Sequence, residues 1–497
     1  MAEKTDHQVN DKDWEQHSGS LVVPDALENQ PEDGEPMPVD PRVRRKVDWN
    51  LIPLIAALYL CSFLDRGNIG NAKVAGMATD LHLIGNRYQI AAAVFFIPYS
   101  LMEVPCNVLL KLTRPSIWIP SIMLVWGLVM FSMAFVKSYQ GLVVARFFLG
   151  LAEAGLPPGV AFLITMWYRR ADQARPISFY FSSATVSGAF GGLFAYLLAK
   201  LDGRGGLHGW AWIFLIEGLM TIFFALVGFW KLPDYPSTAK FLTPGEKAHL
   251  IEALKRDNED EPSHFEWKFV WETLRSPLSW IQTIIYIGMV VPLYSFSLFL
   301  PTIITALGFS ANIAQLMTIP PYALGCLVTI LVGIASDRVK VRGPFVMICS
   351  LLGIIGYVML YATSPKHHPG VGYAGTMLAA MGVFPTVPIM LAWGSGNAGN
   401  SLKKGVTIGL LSGVGNLGGI ISSFIYRTQD SPRFHLGHGI VLGFLCMAFI
   451  ASGAAIFIYD KLNKAREERC VREGITTDRK AEFTSLGVDS PLFRYSL

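Results

Sequence analysis

The sequence predicts an all-α membrane protein with twelve transmembrane helices arranged in two six-helix bundles. Its 497 residues are 52% hydrophobic and only 16% charged, with a mean hydropathy of +0.40, whereas soluble proteins carry about 25% charged residues. Twelve mainly apolar segments are also long enough to cross a bilayer, which takes about 20 helical residues. Helices are favoured because they satisfy their own backbone groups in lipid, and the sequence shows no alternating pattern of barrel strands.

The predicted spans form two sets of six around one long polar interruption. They lie near 50–72, 88–110, 116–136, 140–166, 176–199 and 210–231, and then near 278–304, 313–335, 344–363, 372–393, 405–426 and 438–459. We therefore expect five parts in the chain. These are an acidic disordered tail with a basic end (1–46), a first bundle (47–231), a linker (232–277), a second bundle (278–462) and a C-terminal tail (463–497).

The polar parts predict the orientation of the chain. Residues 1–40 are acidic and lack an apolar period, which is typical of a disordered tail. A basic cluster follows directly before the first span, at Arg42, Arg44, Arg45 and Lys46. Because positive charge stays on the cytoplasmic side, we expect both termini in the cytosol. In the linker, Thr243, Pro244 and Glu246 form a capping-box pattern that predicts an amphipathic helix.

A charged pair, Asp65 and Arg66, follows fourteen uncharged residues, 51–64, in the first span. A helix that ended at Leu64 would be only about 21 Å long, too short for a hydrocarbon core of about 30 Å. We therefore expect the helix to continue and to hold the pair inside the membrane. An earlier start of the span, or local thinning of the bilayer, would instead leave the pair at the surface.

The fourth predicted span contains Arg146, Gly150 and Glu153, whose spacings of four and seven residues place them on one helix face. Counting residues from the ends of the spans puts Arg146 at a depth similar to Asp65 and Arg66. Embedded charges are expensive in lipid, so they face a cavity, pair with one another or titrate. The sequence thus predicts either an exchangeable charge network or a static one that fixes the first span against the fourth.

Four distinctive stretches of the sequence are LDRGNIGNAKVAGM (64–77), RFFLGLAEAGLPPG (146–159), GIASDRVKVR (333–342) and WGSGNAGN (393–400). With these stretches the chain resembles, over about 42–462, the major facilitator superfamily, in particular the fungal allantoate and nicotinate permease branch of its anion:cation symporter family. The loop signature of that superfamily is matched in the second half by Gly333, Asp337, Arg338 and Arg342. The equivalent loop of the first half lacks the aspartate.

The resemblance implies proton-coupled uptake of a small organic anion, such as a nitrogenous or vitamin-like carboxylate, by alternating access. We expect Asp65 and Glu153 to couple protons, because an acid that loses an arginine to the substrate takes up a proton. Arg66 and Arg146 are the expected anion ligands. The further candidates for substrate binding are Tyr59, Asn68, Tyr294, Asn397 and Asn416. Gly333, Asp337, Arg338, Arg342, Glu103, Asn107 and Glu217 are expected to act in gating or packing.

Two other functions stay open at this point: a proton-driven exporter of a metabolite, and a non-transporting transceptor that signals through its tail. The sequence has no GxxxxGK[ST] loop for ATP, and we expect no enzyme activity, cofactor or metal. The expected partners are a small organic anion, protons and the lipid bilayer, with no nucleic acid. We expect a monomer in the plasma membrane.

Overall fold

A computed structural model describes residues 39–169, 172, 174–258, 267–363, 368–398, 401–475, 488 and 490–497. Most of these residues are helical, and no strand is present among them. The helices of the first half are α1 (Pro41–Ala72), α2 (Arg87–Leu112), α3 (Pro115–Met133), α4 (Tyr139–Glu153), α5 (Leu156–Trp167), α6 (Ala174–Ala199) and α7 (Gly209–Lys231). The linker contains α8 (Pro244–Asn258) and α9 (Trp267–Arg275).

Eight α-helices lie in the described residues of the second half. They are α10 (Pro277–Ala306), α11 (Ala311–Leu316), α12 (Ile319–Val339), α13 (Gly343–Ala362), α14 (Pro369–Val383), α15 (Thr386–Gly396), α16 (Ser401–Ile425) and α17 (His435–Glu473). Ten helical stretches of the described residues are long and apolar enough to cross a membrane. Together with α2 and the α4–α5 pair, they coincide with the twelve predicted spans, which confirms the predicted fold class.

Three predicted spans are each broken into two helices. The fourth span divides into α4 and α5, the eighth into α11 and α12, and the tenth into α14 and α15. A proline lies within the first two positions of α5 and of α12, and Pro385 directly precedes α15. Proline lacks a backbone N–H, and its ring crowds the preceding turn. A helix therefore begins at a proline more readily than it continues through one.

The first helix runs through the charged pair. α1 begins at Pro41, about nine residues before the predicted start, and extends to Ala72 before a π-helical turn at Lys73–Met77. Asp65 and Arg66 are both buried on α1, so the prediction that the helix continues past Leu64 is confirmed. The π-helical turn accommodates Gly76 at φ 111°, a value that glycine adopts without a steric penalty.

Ion pairs tie the linker to one end of the molecule, which we call the linker face. Lys46 Nζ lies 2.6 Å from Glu246 Oε1, and Lys403 Nζ lies 2.8 Å from Glu272 Oε2. Hydrogen bonding to these lysines lowers the pKa of both glutamates below the usual value. The capping box is present: the Thr243 N–H donates to Glu246 Oε2 over 2.9 Å, and the Glu246 N–H donates to Thr243 Oγ1 over 3.4 Å.

The two halves meet along α1 with α10, α2 with α16, and α6 with α12. Several close approaches between them lie toward the opposite face, away from the linker. A Cβ atom at Gly192 would lie 2.1 Å from Thr318 Oγ1, and one at Gly70 would lie 2.5 Å from the backbone oxygen of Leu298. The Tyr88 hydroxyl also donates to that oxygen over 3.3 Å. Small residues thus let the halves close against each other on this side.

A C-terminal segment, residues 490–497, packs on the linker face of the second half. Its Ser496 backbone oxygen accepts hydrogen bonds from Trp393 Nε1 at 2.8 Å and Asn397 Nδ2 at 3.1 Å. The backbone oxygen of Leu497 accepts from the Arg342 N–H at 2.6 Å. Tyr495 stacks on Tyr459 with ring centroids 4.9 Å apart. This segment therefore ties together the start of α13, the end of α15 and the middle of α17.

Candidate functional site

The candidate site is centred on Arg66 of α1, which lies between the two halves. Its side chain is buried, and its Nε atom lies 2.7 Å from Oε1 of Glu153, the last residue of α4. The same carboxylate oxygen accepts a hydrogen bond from Ser62 over 2.5 Å. Ser62 and Arg66 lie four residues apart on α1, so both reach the carboxylate from one helix face.

Aromatic rings surround the guanidinium of Arg66. Its central carbon lies 4.6 Å from the ring centroid of Tyr99, 5.1 Å from Phe63 and 5.8 Å from Phe95. Arg66 Nη2 also donates to the Tyr99 hydroxyl over 2.8 Å. Ring faces attract a cation, and here they exclude water from it on several sides. These contacts stabilise the cation, and a carboxylate would bind it in the plane of its N–H donors.

A chain of hydrogen bonds extends from Arg66 across the interface between the halves. Arg66 Nη1 donates to the hydroxyl of Tyr294 on α10 over 3.4 Å. That hydroxyl donates to Asn416 Oδ1 on α16 over 3.0 Å, and Asn416 Nδ2 donates to Glu103 Oε2 on α2 over 3.0 Å. Both halves thus contribute to one polar network, and movement of either half changes the surroundings of Arg66.

Asp65 and Arg146 lie beside this network without joining its ion pair. Asp65 Oδ2 accepts a hydrogen bond from Trp126 Nε1 over 2.5 Å, and its Oδ1 has no partner among the described residues. Arg146 is 1% exposed and lies 5.4 Å from the ring centroid of Phe95. Its Nε and Nη1 atoms have no hydrogen-bond partner in the described part of the chain. The site therefore contains a buried cation with unused donors.

The remaining candidate residues lie in different surroundings. Tyr59 packs edge-on against Tyr180 with ring centroids 4.9 Å apart. Asn68 lines a separate small cavity farther along α1. Both carboxyl oxygens of Glu217 are buried and have no partner among the described residues. The side chain of Asn107 lies outside the described residues.

The predicted loop signature and Asn397 lie on the linker face, away from Arg66. Arg342 Nη1 donates to the backbone oxygen of Ala392, while Asp337 and Arg338 are exposed. Gly333 has open space where a side chain would be. Asn397 binds the backbone of Ser496, as described above. The roles assigned to these residues remain predictions.

Three uncharged side chains belong to the site although the sequence predicted no binding role for them. Ser62, Tyr99 and Trp126 each bond a charged group directly. Ser62 precedes Arg66 by one helical turn, and Tyr99 precedes Glu103 by one turn. The spacing along each helix could therefore have indicated Ser62 and Tyr99. Trp126 lies on a different helix from Asp65, and nothing in the local sequence pairs them.

The arrangement suits exchange of one anion for another at Arg66. An ionised side chain at the centre of a bilayer costs from about 2.5 to more than 10 kcal/mol. A carboxylate ligand that displaces Glu153 from Arg66 would leave that acid buried without a cation. Among the described residues, no group of three His, Cys, Asp or Glu side chains is placed to hold a metal ion.

Comparison with known proteins agrees with the helical architecture. The family model described as Major Facilitator Superfamily matches residues 55–423. The chain is 37% identical over 470 residues to the MFS-type transporter cnsO of Penicillium expansum, covering 92% of this chain and 90% of that protein. It is 34% identical over 473 residues to the high-affinity nicotinic acid transporter of Saccharomyces cerevisiae, covering 93% and 87%.

A similar solved structure is the inward-facing, unoccupied form of a bacterial homologue of the human lysosomal transporter Spinster. It aligns with a TM-score of 0.63 at 17% identity, over 84% of this chain and 97% of that chain. At this level of identity, the similarity shows the fold.

Proposed function

This chain belongs to the Major Facilitator Superfamily and is a membrane transporter, and on that premise we propose that it couples uptake of a small organic anion to protons. The observation that carries the proposal is the buried ion pair between Arg66 Nε and Glu153 Oε1 at 2.7 Å. It lies at the interface of two bundles and is linked to both. A cation in that place provides a carboxylate site whose surroundings change when the halves move.

In the proposed cycle, the carboxylate of the solute binds Arg66 and displaces Glu153. The guanidinium presents donors in a planar fork that matches a carboxylate. Arg146, with two unpartnered donors, provides the second positive charge of the site. Glu153 becomes protonated when it leaves Arg66, so anion and proton enter together. Asp65, with one unpartnered oxygen, is the second acid that we assign to proton coupling.

The nitrogenous or vitamin-like carboxylates are the proposed substrate class. Supporting this choice, one relative is a nicotinic acid transporter, and the site combines two buried arginines with aromatic rings. We further propose that the transporter acts as a monomer in the plasma membrane with both termini in the cytosol. The basic residues on the first two turns of α1 support this orientation.

The test is a carboxylate panel applied to the purified protein in proteoliposomes that contain a pH-sensitive dye. Nicotinate, allantoate, pantothenate and dicarboxylates are added outside at constant pH. We expect at least one of them to acidify the lumen, and Arg66→Lys to reduce the response because lysine lacks the bidentate fork. Solute uptake without proton movement, or proton movement in the outward direction, would contradict the proposal.

A further inference from the structure

A second cation, Lys73, lies on the same face of the first helix as Arg66 and has no role in the proposal above. The two residues are seven positions apart, a spacing that returns a side chain to the same helix face, with a rise of about 10.5 Å along the axis. The helical path continues to Lys73, whose backbone N–H donates to the oxygens of Ile69 and Gly70. Because α1 begins on the linker face, Lys73 lies nearer the opposite face than Arg66 does.

The ammonium group of Lys73 contacts aromatic rings of both halves. Its Nζ atom lies 4.3 Å from the ring centroid of Tyr88 on α2 and 5.5 Å from that of Phe299 on α10. The two rings meet edge to face, with centroids 5.8 Å apart. Lys73 is half-buried, and it forms no ion pair with a described residue. Ring faces attract a cation, but they supply no counter-charge.

The halves touch each other between the two cations. On this face of α1, Gly70 lies between Arg66 and Lys73, and a Cβ atom at Gly70 would lie 2.5 Å from the backbone oxygen of Leu298 on α10. Tyr294, which accepts a hydrogen bond from Arg66, precedes Leu298 by one turn of α10. Thus α10 runs beside α1 from one cation to the other. Movement of α10 away from α1 would place both cations in one opening.

The chemistry of Lys73 suits an anion that passes through. An ionised side chain within a membrane protein pairs with a counter-charge or faces a pathway, and Lys73 has no acidic partner in the described part of the chain. An ammonium group binds a carboxylate as a point charge with freely rotating donors, without the fixed fork of an arginine. It therefore attracts an anion without imposing one geometry on it, which is what a transient site requires.

We propose that Lys73 is an outer binding site for the carboxylate, which receives the anion when the opposite face opens and from which the anion moves to Arg66. The inference rests on the proposed function, because it takes the opposite face as the side from which the solute enters. A cation at the mouth of a cleft raises the rate at which anions arrive, and salt screens that attraction. Entry at Lys73 therefore depends on charge and on ionic strength.

The test measures uptake of labelled nicotinate, allantoate, pantothenate and succinate by right-side-out membrane vesicles under a fixed pH gradient, at low and at high ionic strength. Lys73→Met keeps the packing against the rings and removes the charge. We expect it to lower kcat/KM about tenfold at low salt, through KM, while Lys73→Arg stays within about twofold of the wild type. High salt should lower the wild-type kcat/KM several-fold and change that of Lys73→Met less than about twofold.

Lys200→Met is the matched control. Lys200 follows α6 near the same face of the protein, and its Nζ atom lies 4.4 Å from the ring centroid of Tyr196. It is exposed, and its ring contact stays within one half. The control should keep the kcat/KM of the wild type and the same dependence on salt. An unchanged kcat in Lys73→Met shows that this variant is folded and that its site at Arg66 is intact.

Three results would overturn the role of Lys73 and leave the proposed function standing. The first is a wild-type kcat/KM that does not change with salt, and the second is wild-type kinetics in Lys73→Met. The third is a loss in kcat with an unchanged KM, because Lys73 would then be a contact that closes the opposite face. If the wild-type protein takes up none of the four labelled carboxylates, both the outer site and the proposed function fail.

Discussion

The ion pair between Arg66 and Glu153 predicts the effect of Glu153→Gln on transport. The amide oxygen of glutamine can still accept from Ser62 and from Arg66 Nε, which lie 2.5 and 2.7 Å from Oε1 in the native site. The substitution therefore keeps the shape of the site and removes one titratable charge. An anion can still bind Arg66, but its arrival no longer leaves a carboxylate that needs a proton.

The expected accumulation of the anion follows from the pairing of one arginine with one acid in the site. One arginine is bonded to one acid, so we expect one proton to accompany one monovalent anion without net charge movement. A gradient of one pH unit supplies about 1.4 kcal/mol, which drives accumulation of the anion by up to about tenfold. In Glu153→Gln we expect an inside-to-outside ratio of about one. Exchange of labelled for unlabelled anion should continue, since it needs no net proton movement.

The assay measures the accumulation and the exchange of the anion in the same proteoliposomes. Labelled anion uptake is followed with and without an imposed pH gradient, and exchange is followed with the unlabelled anion inside. Glu217→Gln is the control, because Glu217 is 1% exposed but has no hydrogen bond to an arginine among the described residues. The control should accumulate the anion. Accumulation by Glu153→Gln at the wild-type level would refute the coupling role of this acid.

Three further outcomes are expected. Arg146→Lys should raise the Kd of a carboxylate ligand about tenfold in thermal unfolding assays, because lysine cannot replace the two unpartnered donors of the guanidinium; an unchanged Kd would exclude Arg146 as an anion ligand. Gly192→Ala should disfavour closure of the opposite face by about 1–3 kcal/mol, since its Cβ would lie 2.1 Å from a hydroxyl oxygen of the other half, whereas Gly413→Ala, with open space around it, should not. The degree of closure is measured from the accessibility of cysteines introduced at the interface between the two halves. The pKa of Glu246 is lowered by its lysine partner, so the pair stabilises the protein at neutral pH and the effect fades as the pH falls through that lowered pKa. Glu246→Gln should lower the stability at pH 7 by less than about 1 kcal/mol and leave it unaltered in acid, as read from the melting temperature.

The continuation of α1 through Asp65 and Arg66 could be predicted from the length of the uncharged segment and the position of the charges. A bilayer sets the length of a helix that crosses it, so fourteen apolar residues before the pair were too few, and α1 does continue to Ala72. The linker helix was predictable for a similar reason, because a capping box acts between residues three positions apart. The broken spans were missed because apolar periodicity continues across Pro157 and Pro385, although the helices do not.

The pairing of the charges could not be read from the sequence. Depth counting placed Arg146 at the level of Asp65 and Arg66, but it did not show that Arg66 bonds Glu153. Depth fixes only the coordinate along the membrane normal, and the rotation of each helix is set by packing against its neighbours. The bond from Trp126 to Asp65 depends on such a rotation.

The sequence by itself determined the class of protein, the number of spans, the continuation of α1 and the identity of the buried charges, because these depend on hydropathy and on distances along one helix. Only the tertiary structure decided which charges touch, which polar atoms lack partners and where the halves meet. Such contacts join residues far apart in the chain, as between Arg66 and Tyr294 or between Asn416 and Glu103. They are set by the packing of whole helices, which no local pattern specifies.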